Sequence, residues 1–163
     1  MYLLTIRPKV FFLQLFLTSY LLIMEYKFKS ILLVDDDRGT NFLHEHYLKE
    51  WEVTEKIYVA MNGKEAIDFL KDTPSFGADK LSLILLDINM PVMDGFEFLE
   101  AYEQLPVELQ ASIIVVMLTS SLHKKDMKRA QANKSLKGFI HKPLSKEEMK
   151  KIISQIKQLE HKV

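Results

Sequence analysis

The chain has 163 residues and no cysteine, which rules out a disulfide scaffold and leaves room for one domain burying roughly 70% of the surface its unfolded form exposes. A reducing compartment such as the cytoplasm fits this composition without being required by it. Acids and bases number 22 each, but they are segregated: Val34 to Ser121 holds 17 acids against 6 bases, and Leu122 to Val163 holds 12 bases against 4 acids.

Residues 1–24 stand apart from the rest. Val10 to Met24 is apolar except for Gln14, Thr18, Ser19 and Tyr20 and follows Arg7 and Lys9, imitating a secretory signal, but no Ala or Gly precedes Gly39 to offer a cleavage site. The run is also short of the roughly 18 to 20 apolar residues of a spanning helix. Three readings stand: an uncleaved anchor, an extra helix packed on the domain, or translated upstream sequence with initiation at Met24. The last is preferred, since Glu25 to Ser30 reads as a polar lead-in to a first strand and residues 25–163 then form a compact domain. Membrane association is expected only if residues 10–24 are a real anchor.

From Ile31 onward strand and helix alternate. Ile31 to Val34 is a strand ending at Asp35 and Asp36, and Arg38 to Glu50 is an amphipathic helix with Phe42, Leu43, His46 and Tyr47 on one face. Val53 to Ala60, β-branched and aromatic, is a second strand. Asn62-Gly63 marks a turn before a helix over Lys64 to Lys71, with Ala66, Ile67 and Leu70 inward, and Thr73 to Lys80 is a loop. The third strand, Leu83 to Leu86, ends at Asp87, and Pro91 and Gly95 make the following loop irregular. Asp94 caps the helix Gly95 to Gln104. Ile113 to Leu118, six apolar residues ending at Thr119, has the composition of a strand covered on both faces and is expected at the middle of the sheet. A helix over Leu122 to Asn133 has few large apolar residues. Gly138 to Ile140 is a short last strand just before Lys142, and Ser145 with Glu148 forms a capping box for a final helix whose inner stripe is Met149, Ile152, Ile153, Ile156 and Leu159. The basic residues of the last third lie on these amphipathic helices without interleaved aromatics, so a solvated or protein-docking face is expected and direct nucleic-acid contact is not. Five β/α units with right-handed crossovers give an α/β fold: a five-stranded parallel sheet with helices on both faces.

Such sheets bind ligands outside the carboxyl ends of their strands. That edge would gather Asp35, Asp36, Asp87, Thr119 and Lys142. Three neighbouring carboxylates repel one another unless a cation neutralises them, and a hard divalent ion with oxygen ligands, Mg²⁺, is the natural partner. Asp87 could then attack a phosphoryl donor to form an acyl phosphate, with Lys142 and the Thr119 hydroxyl meeting phosphoryl oxygens. Asp37 is read as a turn or cap residue. The histidines at 44, 46, 123, 141 and 161 show no metal-like clustering and are given no chemistry.

The segments Leu32-Leu-Val-Asp-Asp-Asp37, Leu85-Leu-Asp-Ile-Asn-Met-Pro-Val-Met-Asp-Gly95, Val116-Met-Leu-Thr-Ser120 and Lys142-Pro143, in order and in register, resemble a receiver domain of two-component response regulators. The resemblance implies a flavodoxin-like fold with strand order 2-1-3-4-5. It implies phosphorylation of Asp87 by a histidine kinase or a phosphotransfer protein, and a signal passed to a downstream protein target that the sequence does not name. It further implies Mg²⁺ bound by Asp36, Asp87 and the backbone carbonyl of Asn89, with Asp35 acting through water, and a cis bond from Lys142 to Pro143. Thr119 and Phe139 would form the switch that reshapes the fourth helix, fifth strand and fifth helix. The chain ends at the final helix, so output is expected from the domain's own surface, and no enzymatic activity is expected beyond phosphorylation and dephosphorylation at Asp87. Two rivals are an aspartate-dependent phosphohydrolase of the haloacid dehalogenase type, for which Asp35 and Asp37 have suitable spacing, and a receiver-like module that is never phosphorylated. Against the hydrolase, Gly39 sits where that family carries Thr or Val, and its later acidic motif is absent.

Overall fold

The computed structural model describes residues 27–72, 81–110, 114–120, 124–131, 133 and 135–160. The apolar leader, the loop expected at residues 73–80 and residues Ile113, Leu122 and His123 lie outside them. In chain order the elements are β1 (Phe28–Val34), α1 (Arg38–Glu50), β2 (Thr54–Ala60), α2 (Gly63–Asp72), β3 (Leu83–Asp87), α3 (Gly95–Glu103), a 3₁₀ turn (Val107–Leu109), β4 (Ile114–Thr119), α4 (Lys124–Gln131), β5 (Leu136–His141) and α5 (Lys146–Glu160). The strands form one sheet in the order β2-β1-β3-β4-β5, every neighbouring pair parallel. Among the described residues no helix is long and apolar enough to cross a membrane.

Alternation along the strands divides the core in two. Leu32, Val34, Ile84, Leu86, Val115 and Met117 point to one face, where α2, α3 and α4 add Ala66, Ile67, Leu70, Phe96, Leu99 and Ala130. Ile31, Leu33, Leu83, Leu85, Val116 and Leu118 point to the other, against Leu48 of α1 and Met149, Ile152, Ile153 and Ile156 of α5. Covering both faces is why the inner strands are unbroken apolar runs.

Four expectations need correction. The strand over Ile113 to Leu118 is β4, an interior strand but not the middle one; β3 holds the centre. A run apolar on both faces is common to every interior strand, so it does not rank them. The supposed lead-in belongs to β1, for Phe28 and Ser30 are buried strand residues, with Phe28 N–H donating to Val53 C=O at 2.7 Å. The last strand is longer than Gly138 to Ile140 and runs from Leu136 to His141. The face named for α1 is the wrong one: Phe42 and Leu43 are 70% and 45% exposed, whereas Asn41, His44 and Leu48 are buried. Two polar residues turn inward there because they have partners inside.

Candidate functional site

The carboxyl ends of β1, β3, β4 and β5 bring the polar residues together. Pairing continues past β1, since Asp35 N–H donates to Ala60 C=O at 3.1 Å, and this carries the Asp35 side chain into the interior, 2% exposed. Its Oδ1 accepts the Asp37 N–H at 3.0 Å. Asp36 faces solvent. Asp37 caps α1, accepting the Thr40 N–H at 2.5 Å, and that bond is the main reason its carboxyl is held below the usual range.

Asp87 is the last residue of β3 and is 6% exposed. The turn behind it is tight: Gly95 N–H donates to Ile88 C=O at 2.9 Å, and a Cβ on Gly95 would lie 2.3 Å from the Asp87 carbonyl oxygen. Only glycine fits that approach. Asp94 then starts α3 with a complete capping box, accepting from Phe96 and Glu97 N–H at 2.8 Å each while Glu97 receives the Asp94 N–H at 2.8 Å. The intervening loop is pinned from the side where Gly63 N–H donates to Met93 C=O at 3.1 Å. Asn89, within it, is exposed. Its neighbour Val92 sits at φ 70°, a left-handed conformation costly for a β-branched residue.

Lys142 follows β5. Its N–H donates to Thr119 C=O at 2.9 Å, and its bond to Pro143 is cis. Its Nζ lies 2.6 Å from Asp35 Oδ2 and 2.9 Å from Asp87 Oδ1. Ligand oxygens of Asp35, Asp36 and Asp87 fall within 4.8 Å of one another. Three carboxylates against one ammonium leave two negative charges in a space of that size, the deficit a divalent cation fills. Asp35 Oδ2, buried and without a hydrogen bond of regular geometry, has the Lys142 ammonium as its counter-charge. The donor set is all oxygen and fits a hard ion.

The electrostatics follow from burial and pairing. Burial pushes the Asp87 carboxyl up, and Lys142 only partly offsets it. For Lys142 burial acts downward, but the bonds to Asp35 and Asp87 prevail and raise it. Thr119 closes β4 and is buried, 1% exposed. Because Met117 pairs with Phe139 and Thr119 is two residues further on, Thr119 and Phe139 share a sheet face. Phe139 is half-buried and packs against the cluster of α2, α3 and α4. Arg129 joins α4 to α3, with its guanidinium 3.0 Å from Glu100 and 4.5 Å above the Phe96 ring.

Two residues near the site were given no role from sequence. Asn41 donates to the Asp35 carbonyl at 2.8 Å, and His44 Nε2 accepts the Leu144 N–H at 3.3 Å. The available signal was their spacing: positions 41, 44 and 48 keep helical period with each other. Asn62, which the sequence marks only as a turn, is also a helix cap: its Oδ1 accepts the Glu65 N–H at 2.9 Å and Glu65 receives the Met61 N–H at 2.8 Å.

Comparison with known proteins adds the family. Residues 31–154 match the profile described as "Response regulator receiver domain". A probable methanogenesis regulatory protein, FilR2, from Methanothrix harundinacea is 32% identical over 128 residues, covering 78% of this chain and 81% of that one. The response regulator Rcp1 of Synechocystis is 33% identical over 99 residues, covering 60% of this chain; this chain spans 65% of Rcp1. Among solved structures, a two-component response regulator from Cytophaga hutchinsonii superposes with a TM-score of 0.73 at 29% identity, covering 81% of this chain and 98% of that one.

Proposed function

The chain belongs to the family of response regulator receiver domains of two-component signalling, and on that premise we propose that it is a phosphoacceptor switch whose reacting group is the Asp87 carboxylate. The observation that carries this is the bridging of Asp35 and Asp87 by one ammonium, at 2.6 and 2.9 Å, beside a third carboxylate within metal-binding reach. Mg²⁺ held by Asp36, Asp87 and the Asn89 carbonyl, with Asp35 acting through water, would supply the charge neutralisation that phosphoryl transfer demands. An oxygen of Asp87 attacks phosphorus as the bond to the donor breaks, giving an acyl phosphate. An ionised carboxylate has no proton to lose, so this step needs no general base. Lys142 meets one phosphoryl oxygen as a point charge, and the Thr119 hydroxyl donates to another. Drawn towards the phosphoryl group, Thr119 would vacate space on the face it shares with Phe139, and movement of that ring would alter the surface of α4, β5 and α5.

The donor on this reading is a histidine kinase or a phosphotransfer protein in the cytoplasm, where ATP supplies the phosphoryl group. The hydrolase reading loses support because Asp37, the second acid of its motif, spends its carboxylate on the α1 cap.

The test is incubation of the full chain with Mg²⁺ and acetyl phosphate, followed by mass spectrometry of the hydroxylamine-sensitive acyl-phosphate adduct. One phosphoryl group on Asp87, absent in Asp87→Asn and in chelator, is expected. Steady hydrolysis of phosphate esters dependent on Asp35 would overturn the reading in favour of the hydrolase, and no label at all in favour of an unphosphorylated interaction module.

A further inference from the structure

We propose that His44, seconded by Asn41, is a positioning residue that holds Lys142 against Asp35 and Asp87. The proposal rests on the reading of Asp87 as phosphoacceptor. Asn41 and His44 lie three residues apart on the inner face of α1, one helical turn. Asn41 Nδ2 donates to the Asp35 carbonyl at 2.8 Å. His44 Nε2 accepts the N–H of Leu144, a residue 100 positions away in sequence and two beyond Lys142, at 3.3 Å. One helix face therefore grips both partners of the 2.6 Å Asp35–Lys142 pair, one through the backbone of β1's end and the other through the backbone just after Lys142.

Packing alone does not account for these residues. Both are buried, His44 at 1% and Asn41 at 5% exposure, and among the described residues His44 Nδ1 and Asn41 Oδ1 have no hydrogen-bond partner. Each carries a desolvation cost that an apolar side chain at the same position would avoid. What they gain is tethers to two backbone positions whose separation governs the pocket. An Nε2 that accepts must keep its lone pair, so the ring is neutral with its proton on Nδ1. Burial, reinforced by Lys142 and opposed by Asp35, holds the imidazole below its usual range and favours that neutral form.

Two measurements test this. In the unmodified full chain, long-range ¹H–¹⁵N correlation at neutral pH is expected to report His44 as the Nδ1–H tautomer; an Nε2–H tautomer or an imidazolium would overturn the proposal. Initial rates of Asp87 labelling by acetyl phosphate with Mg²⁺ are then compared for His44→Leu and His44→Gln, with circular dichroism confirming the fold. The Leu variant strands the buried Leu144 N–H and should melt lower while staying folded at the assay temperature, and there it should label at least about tenfold more slowly, the usual scale for losing an outer-sphere partner; Gln, whose side-chain oxygen replaces Nε2 as acceptor, should restore the rate. Leu labelling at the parent rate, or both variants equally slow, would overturn it. Should the Leu variant not fold, the tautomer and the Gln rate decide. A parent chain that takes no label refutes the phosphoacceptor reading itself; a labelled parent with an unaffected Leu variant refutes only the role of His44.

Discussion

Replacing Lys142 by methionine keeps most of the apolar stem and removes the charge. At an effective dielectric of about 20, its contacts at 2.6 and 2.9 Å are each worth about 6 kcal/mol gross, before the cost of burying the three charges, several kcal/mol apiece, is set against them. A ceiling comes from chemistry: the variant can protonate a stranded carboxylate, and for one of ordinary pKa 3.8 this costs about 4 kcal/mol at pH 7. Asp87, already pushed up by burial, needs less. Lys142→Met should therefore lose about 2 to 4 kcal/mol at pH 7, at or somewhat below the roughly 3 to 5 kcal/mol of other broken buried pairs. The assay is urea unfolding in chelator at pH 7 and pH 5, and again with millimolar Mg²⁺. The deficit should shrink at pH 5, where protonation is cheap, and shrink with the cation, which restores the missing positive charge. The same ammonium shapes stability at alkaline pH. With its folded pKa raised, Lys142 gives stability fully present below its ordinary 10.5 and lost as pH climbs through the folded value, so the parent should weaken there more than the variant. A variant within about 0.5 kcal/mol of the parent at pH 7 in chelator, the spread of an ordinary surface substitution, would refute this electrostatic account.

The raised pKa of Asp87 means that its ionisation opposes folding: the penalty is absent below the unfolded value of 3.8 and grows as pH rises through the folded one. Asp87→Asn should therefore be more stable than the parent in chelator at neutral pH, with the gain gone near pH 3, as read by thermal melts across that range. Gly95→Ala forces a Cβ to within 2.3 Å of the Asp87 carbonyl oxygen; a loss of about 1 to 3 kcal/mol is expected from such overpacking, together with weaker Mg²⁺ binding in a calorimetric titration.

The convergence of Asp35, Asp87, Thr119 and Lys142 was legible because each follows an apolar run, and the ends of parallel strands share one edge whatever their order. The order itself was not legible from pattern. β3 offers only Leu83 to Leu86 before its acid, while β4 has the longer run, and both are simply interior. Resemblance supplied what periodicity could not. The face of α1 was misread for a different reason. Phe42 and Leu43 are apolar and exposed while Asn41 and His44 are polar and buried, and a helical wheel weighs polarity without knowing that a carbonyl of Asp35 and an amide of Leu144 wait inside. Such partners belong to tertiary structure. Capping, in contrast, is local, so Asp94 and Ser145 could be read directly; the Ser145 hydroxyl accepts the Glu148 N–H at 3.2 Å, although Glu148 turns its own carboxylate to Lys151 rather than back to the cap.

The ammonium that balances Asp35 and Asp87 is contributed after the last strand. During translation both acids are made before it, and a sheet assembled without β5 would have an open β4 edge and two carboxylates lacking their ammonium. Completion of the pocket thus waits for β5 and the residue that follows it. A chain interrupted before β5 would keep an uncovered β4 edge, the kind of strand edge that pairs with other chains.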